Sequence, residues 1–217
     1  MAISVRLPNL QNMDDIDQLC ERLPVLKVCE EAIRQSTDAL IHAFQSGNKL
    51  LLCGNGGSAA DCEHIAGELV KRFSNPRPLS RELAESLGSD LSQNLHGGLP
   101  ALSLPSMIGF HTAFANDDNP EYAFAQQVLA FGKTGDILLA ISTSGNSKNL
   151  IHAVHTAKSL GLRTMTLTGE SGGLLAPLCD FAIQAPASET PRVQELHLPI
   201  YHAICTVVED TLFPHSD

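Results

Sequence analysis

Two short segments of this chain are dense in groups able to hold an anion. Gly54-Asn55-Gly56-Gly57-Ser58 follows an apolar run. Its glycines let the backbone approach a ligand closely, and the helix start that follows offers free N–H groups to oxygens. Ser142-Thr143-Ser144-Gly145-Asn146-Ser147 puts four hydroxyls into six residues ahead of another helical stretch. That composition suits a phosphate cradle built from neutral donors and a helix dipole, and it equally suits an ordinary Ser/Thr-rich turn with an N-cap. Residues 54–59 also satisfy G-x-G-x-x-A, but no acidic residue ends a second strand about 20 residues further on, as ribose recognition requires. The Walker-type phosphate loop is absent.

Both segments are punctuation in a regular alternation of elements. Within residues 26–45, Val28, Cys29, Ala32, Ile33, Leu40, Ile41 and Phe44 recur at helical spacing, and Ser46-Gly47-Asn48 stops the pattern. Residues 49–53 are an apolar run of strand length. A helix follows, with Ser58 as its expected N-cap, running through Arg72. The same grammar returns as a strand over 136–141, a helix over 149–160, strands over 163–168 and 181–185, and a last helix over about 192–212. Strands alternating with helices, apolar on both faces, predict a parallel sheet covered on each side. Residues 80–98 interrupt the pattern. They are polar, with a weak helical period at Leu83, Leu87 and Leu91, and read as a solvated surface insertion or, more sharply, as a lid or interface arm. No linker or repeat divides the chain, so residues 1–217 are expected to form one domain, with an N-terminal helical region over about 13–46.

With 24 Asp and Glu against 14 Lys and Arg, the net charge is −10, which disfavours nucleic acid and anionic membranes as partners. Trp is absent and aromatic residues are 5%, so stacking on bases is not the main activity. Hydrophobic residues at 43% are enough for a sizeable core. The six cysteines include no C-x-x-C pair, residues 1–10 lack the pattern of a signal peptide, and no apolar run reaches the roughly 18 residues of a membrane span. These features predict a reduced, cytoplasmic protein whose cysteines are small buried hydrophobes.

The two loops, in this order, resemble those of the phosphoheptose isomerases, a branch of the sugar isomerase (SIS) domain group. The likeness extends through Asp61 and His64, Asn116-Asp117, Leu167-Thr168-Gly169 with Gly172-Gly173, and Gln194-Glu195-x-His197, from about Gly47 to Leu212. It implies a flavodoxin-like three-layer αβα sandwich around a five-stranded parallel sheet. It also implies isomerisation of a phosphorylated sugar, sedoheptulose 7-phosphate to glycero-manno-heptose 7-phosphate. By matching position, Asn55, Gly56, Gly57, Ser58, Asn116, Asp117 and Gln194 would contact substrate. Ser142, Thr143, Ser144 and Ser147 would hold its phosphate, and Glu68 and His202 would carry the protons. Members that bind metal imply one zinc ion per site on His64, Glu68, Gln194 and His202. Residues of neighbouring subunits share each pocket in the homotetramers of this group, with residues 26–45 and the last helix expected in interfaces.

Helix geometry is compatible with that quartet. His64 and Glu68, four apart, share a helix face, and Gln194 and His202, eight apart, are offset by about 80°. Interconverting a ketose and an aldose moves a proton between adjacent carbons through an enediol(ate), which needs a base, an acid and charge stabilisation. Glu68 is expected as principal base and His202 as acid. The chain departs from the family at residues 80–98, at Leu104-Pro105-Ser106-Met107 and at Pro191-Arg192, which bear on the sugar accepted rather than on the reaction class. Pro199 is expected to kink the last helix between Gln194 and His202. A rival class is the non-catalytic SIS proteins that bind the DnaA replication initiator. They share a Thr211-Leu212-Phe213-Pro214-His215-like tail but lack the full catalytic pair, which Glu68 and His202 complete here.

Overall fold

The computed structural model describes residues 15–214; the residues at 1–14 and 215–217, including the start of the predicted N-terminal region and His215 of the tail motif, lie outside it. Five strands, β1 (Leu50–Gly54), β2 (Ala101–Ser103), β3 (Ile137–Ser142), β4 (Arg163–Gly169) and β5 (Phe181–Ala185), form one parallel sheet in the order β2-β1-β3-β4-β5. Among the described residues, eight α-helices accompany them: α1 (Asp15–Arg22), α2 (Glu30–Gln45), α3 (Gly57–Val70), α4 (Arg81–Asn94), α5 (Ile108–Asp117), α6 (Ala123–Phe131), α7 (Lys148–Ser159) and α8 (Thr190–Leu212).

Successive strand side chains point to opposite faces, so a continuous apolar run feeds two cores. Leu50 and Leu52 of β1, Ile137, Leu139 and Ile141 of β3, and Met165 and Leu167 of β4 pack with α1, α2, α3 and α8. Leu51, Cys53, Leu138 and Ala140 pack on the other face with Phe124 and Val128 of α6 and Leu150, Ala153, Val154 and Ala157 of α7. This is the three-layer αβα sandwich expected. Cys20, Cys29, Cys53, Cys62 and Cys205 are buried, and all six cysteines are free thiols.

Several boundaries differ from the sequence reading. Pro24 opens a short 3-10 turn, Pro24–Cys29, so the helix predicted from residue 26 begins only at Glu30, and Val28 is 77% exposed rather than inward-facing. The strand predicted from Asp136 starts one residue later, because the buried Asp136 carboxylate accepts from the N–H groups of Lys49 (3.0 Å) and Lys133 (2.8 Å) and ties down the strand entrance. Pro199 lies inside α8, which spans 23 residues in all. The sequence also concealed α5, whose apolar residues surround the helix without forming a stripe.

The segment at 80–98 does contain the weakly signalled helix. Ser80 caps α4 by accepting from Leu83 N–H, and Gly88 interrupts it with φ +77°. No residue of α4 is buried. Just before it, Arg77 is completely buried: its guanidinium donates to Glu209 (2.6 Å) and to the carbonyls of Glu68 and Leu69. The N–H groups of Phe73, Ser74 and Asn75 donate to the same Glu209 carboxylate. Burial would raise the Glu209 pKa, but these donors hold it below the usual carboxylate range.

Candidate active site

In the order β2-β1-β3-β4-β5 the sheet's winding reverses between β1 and β3, and open parallel sheets bind ligands outside the strand ends at such a switch point. Both chemically unusual loops lie there. After β1, Gly56 takes φ +55°, a conformation open to glycine, and turns the chain into α3 at Gly57. The helix thus begins ahead of the expected N-cap. Ser58 is buried in the first turn and does not cap it. Gly57 leaves room for Gln194 of α8, whose Nε2 would lie 2.2 Å from a Cβ added at that glycine.

After β3, Ser142 Oγ lies 3.2 Å from Ser147 Oγ and accepts from Gly145 N–H, while Ser144 Oγ accepts from Asn146 N–H. Gly145 has φ +66°, and a Cβ there would stand 2.1 Å from the Gly172 carbonyl. Only glycine fits between this loop and the Gly172-Gly173 turn that follows β4. Asn55 and Asn149 exchange amide hydrogen bonds of 3.0 and 2.9 Å, joining the two loops across the switch point. His197 is fully buried, with Nε2 3.2 Å from the Thr168 carbonyl. Burial lowers its pKa to about 4, outweighing the hydrogen bond that raises it, so it is neutral at pH 7.

A second cluster lies along α3 and α8. His64 Nε2 is 3.3 Å from Glu68 Oε1 and 3.4 Å from His202 Nε2. Glu68 also pairs with the Lys71 ammonium. Side chains on a helix lean toward its N-terminus, so Glu68 reaches back one turn to His64. On its other edge, His64 Nδ1 is 3.0 Å from the Tyr201 hydroxyl, which donates to Asp61 Oδ1 at 3.3 Å. Desolvation lowers the pKa of His202, with His64 adding to the effect and Glu68 opposing it.

The fold therefore gathers Asn55, Gly56, Gly57, Ser58 and Gln194 with Ser142, Thr143, Ser144 and Ser147 at the switch point, and His64, Glu68 and His202 further along α3. Asn116 and Asp117 are exposed at the end of α5 and bonded to each other at 2.8 Å. In the Pro120–Tyr122 turn that follows, Glu121 pairs with Lys148 and Tyr122 stacks on His152. Sequence reasoning gave no role to Asn149, Tyr201 or Lys71. The i, i+3 pair of Asp61 and His64 was visible, but its link through Tyr201 spans 140 residues and only the packing of α8 on α3 creates it.

For zinc, the donor types fit, and the 3.3 and 3.4 Å separations equal the ligand–ligand edges of a tetrahedron with bonds of about 2.0–2.1 Å. Both edges share one His64 nitrogen, however, and among the described residues no three His, Cys, Asp or Glu side chains already form a metal-holding group. Glu68 presents Oε1 to His64 while its Oε2 pairs with Lys71, and Gln194 lies against Gly57.

The family model for the SIS domain matches residues 13–98 and 98–169, so a parallel sheet wound in this order with two polar loops at the switch point is here that of an SIS-domain protein. The phosphoheptose isomerase of Aneurinibacillus thermoaerophilus is 44% identical over 181 residues, covering 83% of this chain and 82% of that one. A phosphoheptose isomerase structure from Neisseria gonorrhoeae superposes with a TM-score of 0.70 at 31% identity, covering 90% of this chain and 91% of the other. One from Francisella tularensis gives 0.71 at 29% identity, over 90% and 92%. The chain belongs to the phosphoheptose isomerase family.

Proposed function

We propose that this protein isomerises sedoheptulose 7-phosphate to glycero-manno-heptose 7-phosphate. Family membership over most of the chain supports the activity. The observation that supports this site is that the glycine loop leading into α3 is joined to the hydroxyl loop by the Asn55–Asn149 hydrogen bonds, while α3 itself carries His64 and Glu68 beside His202. By helix rise, His64 lies about 10 Å along α3 from Gly57. A sugar phosphate laid along α3 has its phosphate at Ser142, Thr143, Ser144 and Ser147 and its carbonyl end at Glu68 and His202. Glu68 takes the proton from the carbon beside the carbonyl, and His202 transfers protons at the substrate oxygens. The enediol(ate) then collapses with the proton returned to the neighbouring carbon. Asn55, Gly56, Gly57, Ser58 and Gln194 orient the sugar.

Zinc, held by His64, Glu68, Gln194 and His202, would supply charge stabilisation at the substrate oxygens when bound. A homotetramer completes the pocket. Support comes from α5, where Ile108 is 73% exposed and no residue is buried within one chain although the helix carries Asn116 and Asp117. The free thiols support a reducing, cytoplasmic setting, and among the described residues no helix is long and apolar enough to cross a membrane.

The test is a turnover panel of ketose phosphates, run with zinc and with a chelator. Conversion of sedoheptulose 7-phosphate ahead of shorter ketose phosphates is expected. No turnover on any member, together with binding to the DnaA initiator, would move the protein to the non-catalytic class.

A further inference from the structure

Three side chains form a hydrogen-bonded line into the acid–base cluster. Asp61 is half-buried on α3, its Oδ1 accepts from the Tyr201 hydroxyl, and its Oδ2 is buried with no hydrogen-bonding partner. Tyr201 is 2% exposed, so its ring is fixed by packing. With its one proton directed to Asp61, the hydroxyl has only lone pairs left for His64 Nδ1, 3.0 Å away. His64 Nδ1 must then be the donor. In the neutral ring Nε2 bears the lone pair, and it faces Glu68 Oε1 and His202 Nε2.

We propose that Tyr201 and Asp61 are positioning residues that hold His64 as the Nδ1–H tautomer and aim its Nε2 lone pair into the Glu68–His202 cluster. Neither residue needs to touch substrate. Their effect is to fix which nitrogen is available to a cation and the plane in which the ring lies. Outer partners of this kind set the tautomer and basicity of a histidine ligand, and their loss typically weakens metal binding 10- to 100-fold. The consequence for metal rests on the zinc reading above; the tautomer does not.

The experiment uses full-length protein labelled with ¹⁵N-histidine, metal-free at pH 8, with His64 assigned through a His64→Gln control. Wild type is expected to show the Nδ1–H pattern at His64. Tyr201→Phe, which keeps the ring and removes the hydroxyl, is expected to shift His64 toward the Nε2–H form and weaken zinc binding by calorimetry 10- to 100-fold. Asp61→Asn is the second variant. Its amide can donate to Tyr201, which lets the hydroxyl donate to Nδ1 and reverses the tautomer. A folded Tyr201→Phe or Asp61→Asn protein whose His64 keeps the wild-type tautomer overturns the proposal. Wild-type protein that binds no zinc overturns the metal reading alone, because the tautomer is read without metal.

Discussion

The Glu68 carboxylate is held through Oε2 by the Lys71 ammonium, its Oε1 lies 3.3 Å from His64 Nε2, and its side chain is only 12% exposed. A base so fixed works through position as much as basicity. Glu68→Gln keeps the shape and removes the base, and it should lower kcat about 10²- to 10⁴-fold with little change in KM. His197 makes a different prediction, on stability. Its pKa falls from 6.5 in the unfolded chain to about 4 in the fold because burial disfavours the imidazolium, against the Thr168 hydrogen bond. Above pH 6.5 the ring is neutral in both states and contributes no pH dependence. As pH falls from 6.5 toward 4 the unfolded chain takes up a proton that the fold refuses, and stability is lost. At pH 5 the loss is about 2 kcal/mol. Urea unfolding at pH 7 and pH 5 measures it, and His197→Gln should remove most of the difference.

At the scale of elements, the turn after α3 is anchored by the Arg77–Glu209 pair, both partners with 0% of their side chains exposed. Arg77 also holds the carbonyls of Glu68 and Leu69, so the turn fixes the end of the helix that carries the base. Arg77→Met strands the Glu209 carboxylate in the interior and should cost about 3–5 kcal/mol in urea unfolding. In contrast, α4 buries no side chain. Replacing residues 81–94 by a short Gly/Ser link should leave stability within about 1 kcal/mol of wild type. An accompanying loss of turnover would show that α4 acts as an arm over a site. The strands of the sheet centre were legible because they are apolar on both faces, and the loops were legible because plain connectors rarely hold four hydroxyls or three glycines. The ends of elements were less so. Gly56 starts α3 before Ser58 through a backbone torsion, and Pro24 delays α2, neither of which alters hydrophobic periodicity. The quartet was legible only in pairs along each helix, and the contact between His64 and His202 depends on tertiary packing across 138 residues.

On the scale of the whole molecule, acidity and phosphate recognition are compatible because the donors at the switch point are hydroxyls, amides and helix ends, so none of them requires a net positive charge. The unburied apolar helix α5 and the exposed Val28, Val70 and Leu198 mark surfaces that assembly can cover. Light scattering at micromolar concentration should give four times the protomer mass, and a monomer there would contradict the shared pocket. The most direct measurement of the central claim follows sedoheptulose 7-phosphate by NMR in D₂O with wild-type protein and with Glu68→Gln. The expected result is a heptose 7-phosphate aldose formed by wild type with solvent deuterium at C2, and turnover at least 100-fold slower with the variant. Turnover by Glu68→Gln within a few-fold of wild type would contradict it.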